Sequence, residues 1–427
     1  MTDLRQHLQA QRDCVTRLIE QHNGLLAKVV GQNRSQPASA RAVTAPAVAT
    51  TVSVPASTPV REPVKGNVVN LFEYLDSEPA ALTDAPVEMA DYRVFGEYDK
   101  AAREEWGQVV DGLLDTYGSD DALAINRKQM ADTVFLASAR DGLFYIKSQS
   151  GVLFAVCYVG EDAHYASTLA ELKQYAEKED FQINLMAQEI RVDVLAEQGF
   201  STTPMGIWQR IEPLSEFTLN GSKMRRLRYL VNKYVKSGAC RTDEYRPGTT
   251  KSTDEAICKV MDEWAGLKGQ NPPFIAQVQS QIRQGSMSGD HRFFLTWRND
   301  VLDNVIVLSR DNFNDGYLMD LEFYAKDMPL GSTEFALSEI IRLFNEEGRK
   351  VLSLGLTMGT ELFEHENGSK EVYQLFDSLR KADYLNGDAN AQYKNKYRPK
   401  KTIMFLARPE GCGRKKLNDL MLLLGAG

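Results

Sequence analysis

From residue 316 the chain reads GYLMDLEFYAKDMPLGSTEFALSEIIRLFNEEGRKVLSLGLT, an apolar-rich run, a turn, a helical pattern and a second apolar run. Phe335, Leu337, Ile340, Ile341 and Phe344 recur at the spacing of one helix face, so a helix is predicted between two strands. Ser332 and Thr333 stand just ahead of that pattern and are predicted to cap its start, while Gly348 is predicted to end it. A strand that feeds a helix with uncovered first amides makes a site for an anion or an acyl oxygen, because those N–H groups point at whatever lies before them.

The same reading extends along the chain. Leu4, Leu8, Val15, Leu18, Leu25 and Val29, with Gln11 and His22 between them, follow a coiled-coil register over residues 1–31, predicting a helix for dimerisation or docking. Residues 32–90 turn to Ala, Pro, Ser, Thr and Val and are expected to form a flexible linker with one short apolar motif near Leu71 and Phe72. Residues 91–213 predict a first α/β unit: helix 102–117, strands 133–137, 142–148 and 152–159, helix 168–179, strand 182–186, a short helix ending at Gly199 and strand 205–211. Residues 214–427 repeat the order: a basic helix, strand 240–245, helices 252–267 and 274–285, strands 292–298, 302–309 and 316–324, the unit described above, helix 370–381 and strand 393–406. Two successive units in matching order indicate a duplication at domain scale, giving a tandem α/β protein.

Composition narrows the chemistry. At 427 residues the chain exceeds one ordinary domain. A net charge of -8 argues against wholesale nucleic-acid binding but leaves room for local basic patches. The five cysteines and five histidines show no metal-ligand spacing, which points to a reducing cytoplasm and no structural metal. No apolar run approaches the roughly 20 residues of a membrane span.

Three groups of residues carry candidate chemistry. Lys223, Arg225, Arg226 and Arg228 lie on the basic helix, whose guanidinium groups suit bidentate phosphate contacts. Lys394, Lys396, Arg398 and Lys400 would share one face of an extended strand, with Tyr393 and Tyr397 opposite, toward the core. Asp320 and Glu322 are expected to project to one side of the strand ahead of the central helix, where a buried carboxylate could deprotonate an incoming amine. Thr357 emerges beside the helix start and could donate a hydrogen bond, though a locally satisfied hydroxyl is the stronger expectation. Asp162 and His164 fall in a loop, and His164 is read as a surface residue.

The succession LNGSKMRRLR, MDLEFYAKDMPLGSTEF, VLSLGLT and YKNKYRPK resembles the soluble C-terminal aminoacyltransferase region of phosphatidylglycerol lysyltransferases over residues 91–408. That resemblance implies two tandem GNAT-like domains, the second carrying the active site, that transfer an amino acid from aminoacyl-tRNA without a bound cofactor. It places Lys223, Arg226 and Arg228 against a tRNA end or an acceptor phosphate, and Lys394 and Lys396 on a basic C-terminal strand. Asp320 matches the aspartate of the family's DL-containing strand, and Lys326, Asp327 and Gly331 match the turn before the helix. Phe323 and Ala325 stand where the family carries basic residues, and LGLT lacks its Ala-Pro, which implies a changed amino-acid or acceptor pocket.

The resulting expectation is an aminoacyl-tRNA-dependent transferase acting on a soluble or carrier-bound amine or hydroxyl, with tRNA as partner and self-association or a protein partner through the N-terminal helix. An acyltransferase using a thioester on CoA or a carrier protein is the alternative enzyme. The turn KDMPLGST, with one glycine and a proline, is poor in the glycines that let backbone amides approach a pyrophosphate. A non-catalytic adaptor that keeps the fold is the third reading.

Overall fold

The strand Val152–Gly160 (β4) reads VLFAVCYVG and the strand Val301–Asp311 (β9) reads VLDNVIVLSRD; both are buried along nearly their whole length. Strands apolar on both faces need cover on both faces, which predicts helical layers on either side of a sheet. The computed structural model describes residues 91–411, apart from residues 126, 150, 269–272, 361, 363–368 and 382–386. The helix expected over 1–31 and the linker over 32–90 lie outside the described residues.

The remaining strands are Arg93–Gly96 (β1), Thr133–Leu136 (β2), Gly142–Gln149 (β3), Gln182–Gln188 (β5), Phe200–Ile211 (β6), Cys240–Tyr245 (β7), His291–Arg298 (β8), Gly316–Tyr324 (β10), Val351–Met358 (β11) and Lys400–Pro409 (β12). Helices of eight or more residues are Lys100–Tyr117 (α1), Tyr165–Lys178 (α2), Arg225–Val235 (α3), Lys251–Lys268 (α4), Pro273–Gln284 (α5), Ser332–Glu346 (α6), Lys370–Lys381 (α7) and Gly387–Lys394 (α8). The protein is thus a mixed α/β fold. The strands form one sheet in the order β1-β2-β3-β4-β5-β12-β6-β11-β10-β9-β8-β7. Adding six to each strand number of one half gives the mirrored order of the other, so the sheet has a twofold pattern centred on the β12–β6 pair. Each half sends its last strand across that centre: β6 pairs antiparallel with β11, and β12 with β5.

Four apolar clusters cover the two faces of the two halves. On the second half, α3 and α6 supply Leu227, Tyr234, Leu337, Ile340 and Phe344 to one face. Residues Ile257, Met261, Ile275 and Ile282 of α4 and α5 cover the other. Helix α7 crosses over, adding Val372 and Phe376 to a cluster of the first half.

Within each half one pair of strands is parallel and short. Strands β10 and β11 pair only from Gly316 to Leu318 against Val351 to Ser353 and then part. Strands β4 and β5 do the same beyond Ala155 and Leu185. A β-bulge sits where the strands part, at Asp320 on β10 and at Val156 on β4. Bulges locally break the ladder and re-aim side chains.

Helix α6 begins differently from its predicted start. Its cap is Gly331 in the left-handed region (φ 98°), while Ser332 and Thr333 are already helical and buried. A β-carbon on Gly331 would lie 2.1 Å from the Leu230 carbonyl, so α3 backs directly onto the turn. The end matches expectation: Gly348 has φ 76° and the Arg349 N–H reaches the Phe344 carbonyl, the pairing of a Schellman motif. Strand 393–406 is corrected. Residues up to Lys394 are helical, Asn395–Tyr397 form a 3-10 turn, Arg398 takes φ 55°, and β12 starts at Lys400.

Gly331→Ala is expected to destabilise the protein by more than about 1 kcal/mol, since both backbone strain and the Leu230 carbonyl oppose the added methyl. A thermal unfolding midpoint equal to the parent's would contradict the tight α3–α6 approach.

Candidate active site and adjoining cationic cleft

The Asp320 bulge turns β10 over. Before it, Tyr317 and Met319 pack with α3 and α6; after it, Leu321 and Phe323 pack with α4 and α5. Unbroken alternation would have kept these four residues on one face. Asp320 and Glu322 consequently do not share a side, a correction to the strand reading. Asp320 lies on the α4–α5 face beside Ser309, and Glu322 acts electrostatically on Tyr393, Lys394 and Tyr397 on the other.

Asp320 Oδ2 accepts the Ile125 N–H at 2.6 Å and the Ser309 hydroxyl at 2.6 Å. Its Oδ1 makes no hydrogen bond among the described residues. The carboxyl keeps some solvent access, yet the protein packed around it pushes its pKa up to about 6, against the lowering effect of its two donors. A carboxylate that titrates near neutrality with one free oxygen is suited to general-base work.

Lys394 is buried at the end of α8. Its ammonium donates to the Gly355 carbonyl at 3.2 Å and the Leu356 carbonyl at 3.1 Å, on the part of β11 that has left β10. Desolvation lowers its pKa to about 7, opposed by the Glu322 charge. Two of the three ammonium hydrogens are used, and the third has no protein acceptor among the described residues. At the matching bulge of the first half the residue is Val156, which clusters with Met205, Trp208 and Met404. A carboxylate thus stands at one bulge and an apolar side chain at the other.

The predicted basic row does not exist as one face. With helix and 3-10 turn in place of a strand, Lys394 turns inward and Lys396 pairs with Glu334 at 2.6 Å, its ammonium 4.6 Å from the Tyr393 ring centre. Tyr397 is in the core, on the side expected. Arg398 instead joins Ser222, Lys223, Arg225, Arg226 and Tyr229 around a shallow cleft of about 430 Å³. Among the described residues Lys223, Arg225, Arg226 and Arg398 form no ion pair with a carboxylate, and Tyr229 is 60% exposed beside them. Arg228 points elsewhere, donating to the Leu219 and Gly221 carbonyls.

The other sequence candidates are dispersed. Lys326 and Asp327 are exposed, and the Lys326 N–H meets Glu263. Ser332 accepts from Asn304 at 2.6 Å. Thr333 is buried, its hydroxyl facing the Met328 sulfur. The Thr357 hydroxyl is buried and donates to Gln209 at 3.0 Å. The first amides of α6 are not open: α3 lies against Gly331, and the buried Glu334, paired with Lys396, occupies the first turn. Phe323 meets Trp264 edge-on with ring centres 5.3 Å apart, serving the core on the α4–α5 face. Asp162 pairs with Arg191 near His164 in a 3-10 turn. Sequence reasoning missed Ile125 and Ser309 around Asp320, and Tyr229 in the cleft. A lone serine in the apolar run VIVLS was the available signal for Ser309.

The folded Asp320 carboxyl holds its proton to about pH 6, above its ordinary 3.8, so the native state binds more protons between those values. Stability must fall as pH rises through that window, and the burial cost is fully present above it. Asp320→Asn is expected to raise the thermal midpoint at pH 7 to 8 and to leave it unchanged near pH 3.5. A gain of equal size at both pH values would contradict the desolvated carboxyl.

Comparisons with known proteins bear on the whole described region. Among curated proteins none matches the chain. The structure of L-PGS from Bacillus licheniformis is similar with a TM-score of 0.62 and 15% identity, over 74% of this chain and 95% of that one. A C-terminal domain assigned to lysylphosphatidylglycerol synthetase from Agrobacterium fabrum gives 0.59 and 16%, over 75% and 96%. A Bacteroides thetaiotaomicron protein of unknown function gives 0.53 and 14%, over 75% and 100%. These likenesses establish the shared fold. The family model described as "Phosphatidylglycerol lysyltransferase, C-terminal" matches residues 112–408, well over half of the sequence, and the chain therefore belongs to that family.

Proposed function

We propose that this chain is an aminoacyltransferase that takes an amino acid from aminoacyl-tRNA and places it on a soluble or carrier-bound amine or hydroxyl, using the opening between β10 and β11. The observation that carries the reading is that ionisable groups kept from full hydration stand on the two strands that part: Asp320 at the bulge where β10 leaves β11, and Lys394 on the Gly355 and Leu356 carbonyls of β11, whereas the matching bulge of the first half holds Val156. Family membership supports the same class of reaction. The fold is read as two tandem GNAT-like units, 91–213 and 214–427, of which the second carries the active site.

An aminoacyl ester is already activated, so the protein has to align the acceptor, remove its proton and stabilise the tetrahedral oxyanion. In the proposed step the acceptor nitrogen or oxygen attacks the ester carbonyl carbon while Asp320 Oδ1 takes its proton. The free hydrogen of Lys394 stabilises the oxyanion. Collapse breaks the bond to the ribose oxygen, which departs with the proton that Asp320 took and leaves the amino acid on the acceptor. Metal and cofactor have no step in this scheme.

The cleft at Lys223, Arg225, Arg226 and Arg398 supplies the polyanion contact. Four cations without carboxylate partners favour phosphates, and the exposed Tyr229 ring offers a surface for a base. A CoA thioester fits less well. Its pyrophosphate would need the first turn of α6, where α3 approaches closely and the buried Glu334 adds negative charge. The adaptor reading leaves the costly desolvation of Asp320 and Lys394 without a purpose. The N-terminal 1–31 segment is proposed to bring the enzyme to a partner or to a second copy, and its cytoplasmic setting remains part of this proposal.

Incubation with a pool of charged tRNAs should release or transfer the amino acid of at least one of them, and RNase treatment of the donor should abolish this. Arg225→Glu with Arg226→Glu should weaken tRNA binding at least tenfold and flatten its salt dependence, because two phosphate contacts and their released counterions are lost. Lys394→Met should lower single-turnover transfer by roughly a hundredfold, the usual loss for an oxyanion donor. Absence of turnover with every charged tRNA, or RNase-resistant transfer from a thioester, would overturn the assignment.

A further inference from the structure

Asp320 is held from two directions, and one of them continues outward. Ser309 on β9 is fully buried and gives its only hydroxyl hydrogen to Asp320 Oδ2. The His291 Nδ1 lies 3.0 Å from that same serine oxygen. Because the serine hydrogen is already committed, Nδ1 must be the donor, which fixes the histidine tautomer or requires its protonated form. Oδ2 also faces the Ile125 N–H, so a proton taken up by Asp320 goes to Oδ1. The result is a chain running from His291 through Ser309 to Asp320.

We propose that His291 and Ser309 are positioning residues for Asp320: they lock Oδ2 as an acceptor and leave Oδ1 as the oxygen that accepts the proton of the incoming acceptor group. This inference rests on the reading of Asp320 as the general base, but the arrangement itself exists without substrate. Asp320 has no ionised side chain among the groups that set its titration, which are the surrounding protein, Ser309 and the Ile125 amide. The charged groups next to His291 in the chain are already engaged: Asp290 lies 3.9 Å from Arg310, and Arg292 is paired with Glu244 and Glu347. Ile125 follows the short helix Asp120–Leu123 in the first half, so that half contributes one of the two donors that orient the residue.

The direct test is carbon-13 NMR of aspartate side-chain carboxyls in the full chain, with Asp320→Asn used to assign the resonance. Removing a hydrogen bond to a carboxylate disfavours its charged form, so Ser309→Ala should move the Asp320 titration midpoint upward by roughly one to two pH units. His291→Ala should move it the same way by less, and His291→Asn, which keeps a donor near the Nδ1 position, should restore it. In a transfer assay the acid limb of kcat should follow these midpoints while KM for the donor stays constant. An unchanged midpoint in Ser309→Ala overturns the proposal, as does an Asn variant indistinguishable from His291→Ala. The carboxyl titration needs no turnover, so a failed transfer assay with the predicted shifts would count against the proposed reaction and not against the chain of hydrogen bonds.

Discussion

The early parting of β10 from β11 governs much of what the second half can do. A parallel pair that ends after three residues leaves backbone groups of both strands without ladder partners. Here they are met by side chains and neighbouring elements: Lys394 covers two carbonyls of β11, and the bulge at Asp320 turns the following residues of β10 into the opposite core. The same single inserted residue, which belongs to the pairing with β9, sits where β10 leaves β11, divides the apolar side chains between two faces, and places a carboxylate against Ser309 and Ile125. Loss of the bulge would return Leu321 and Phe323 to the face of Tyr317, taking two buried side chains out of the α4–α5 core.

That geometry is costly, which is informative. A carboxyl pushed up to about 6 and an ammonium pushed down to about 7 are both kept from full hydration. Apolar side chains at the same places would remove the cost, and the first half has them: Val156 occupies the bulge, with Met205 and Trp208 nearby. One architecture thus appears twice, with a valine at one bulge and an aspartate at the other. The exchange of β6 and β12 ties the two openings into one sheet, and Ile125 gives the first half a role in orienting Asp320.

Most strands and helices between residues 91 and 358 were legible because strong apolar periodicity marks them, and β10 matches its expected bounds of 316–324. Side-chain direction within β10 was not legible. A bulge depends on the pairing with β9, and no local residue pattern in YLMDLEFY announces it. The stretch GDANAQYK carries too weak an apolar pattern to reveal α8, so its last residue Lys394 and the following Lys396 read as strand positions. A strand there would put Lys394 and Lys396 on the surface, whereas Lys394 is buried on the carbonyls of β11 and Lys396 pairs with the buried Glu334. The basic helix was read correctly as a helix, but tertiary contacts decide which of its arginines are available: Arg225 and Arg226 face the cleft and Arg228 holds a loop. Ser332 and Thr333 look like caps in sequence and are buried instead, because Gly331 supplies the left-handed turn that α3 requires.

The central claim is that the polar opening of the second half performs the transfer through Asp320. Its most direct test is single-turnover transfer from charged tRNA by the parent and by Asp320→Asn, with tRNA binding measured on the same samples. Binding within about twofold of the parent and transfer slowed by roughly a hundredfold or more is the predicted result for loss of a general base. Equal transfer rates in the two proteins would contradict the account.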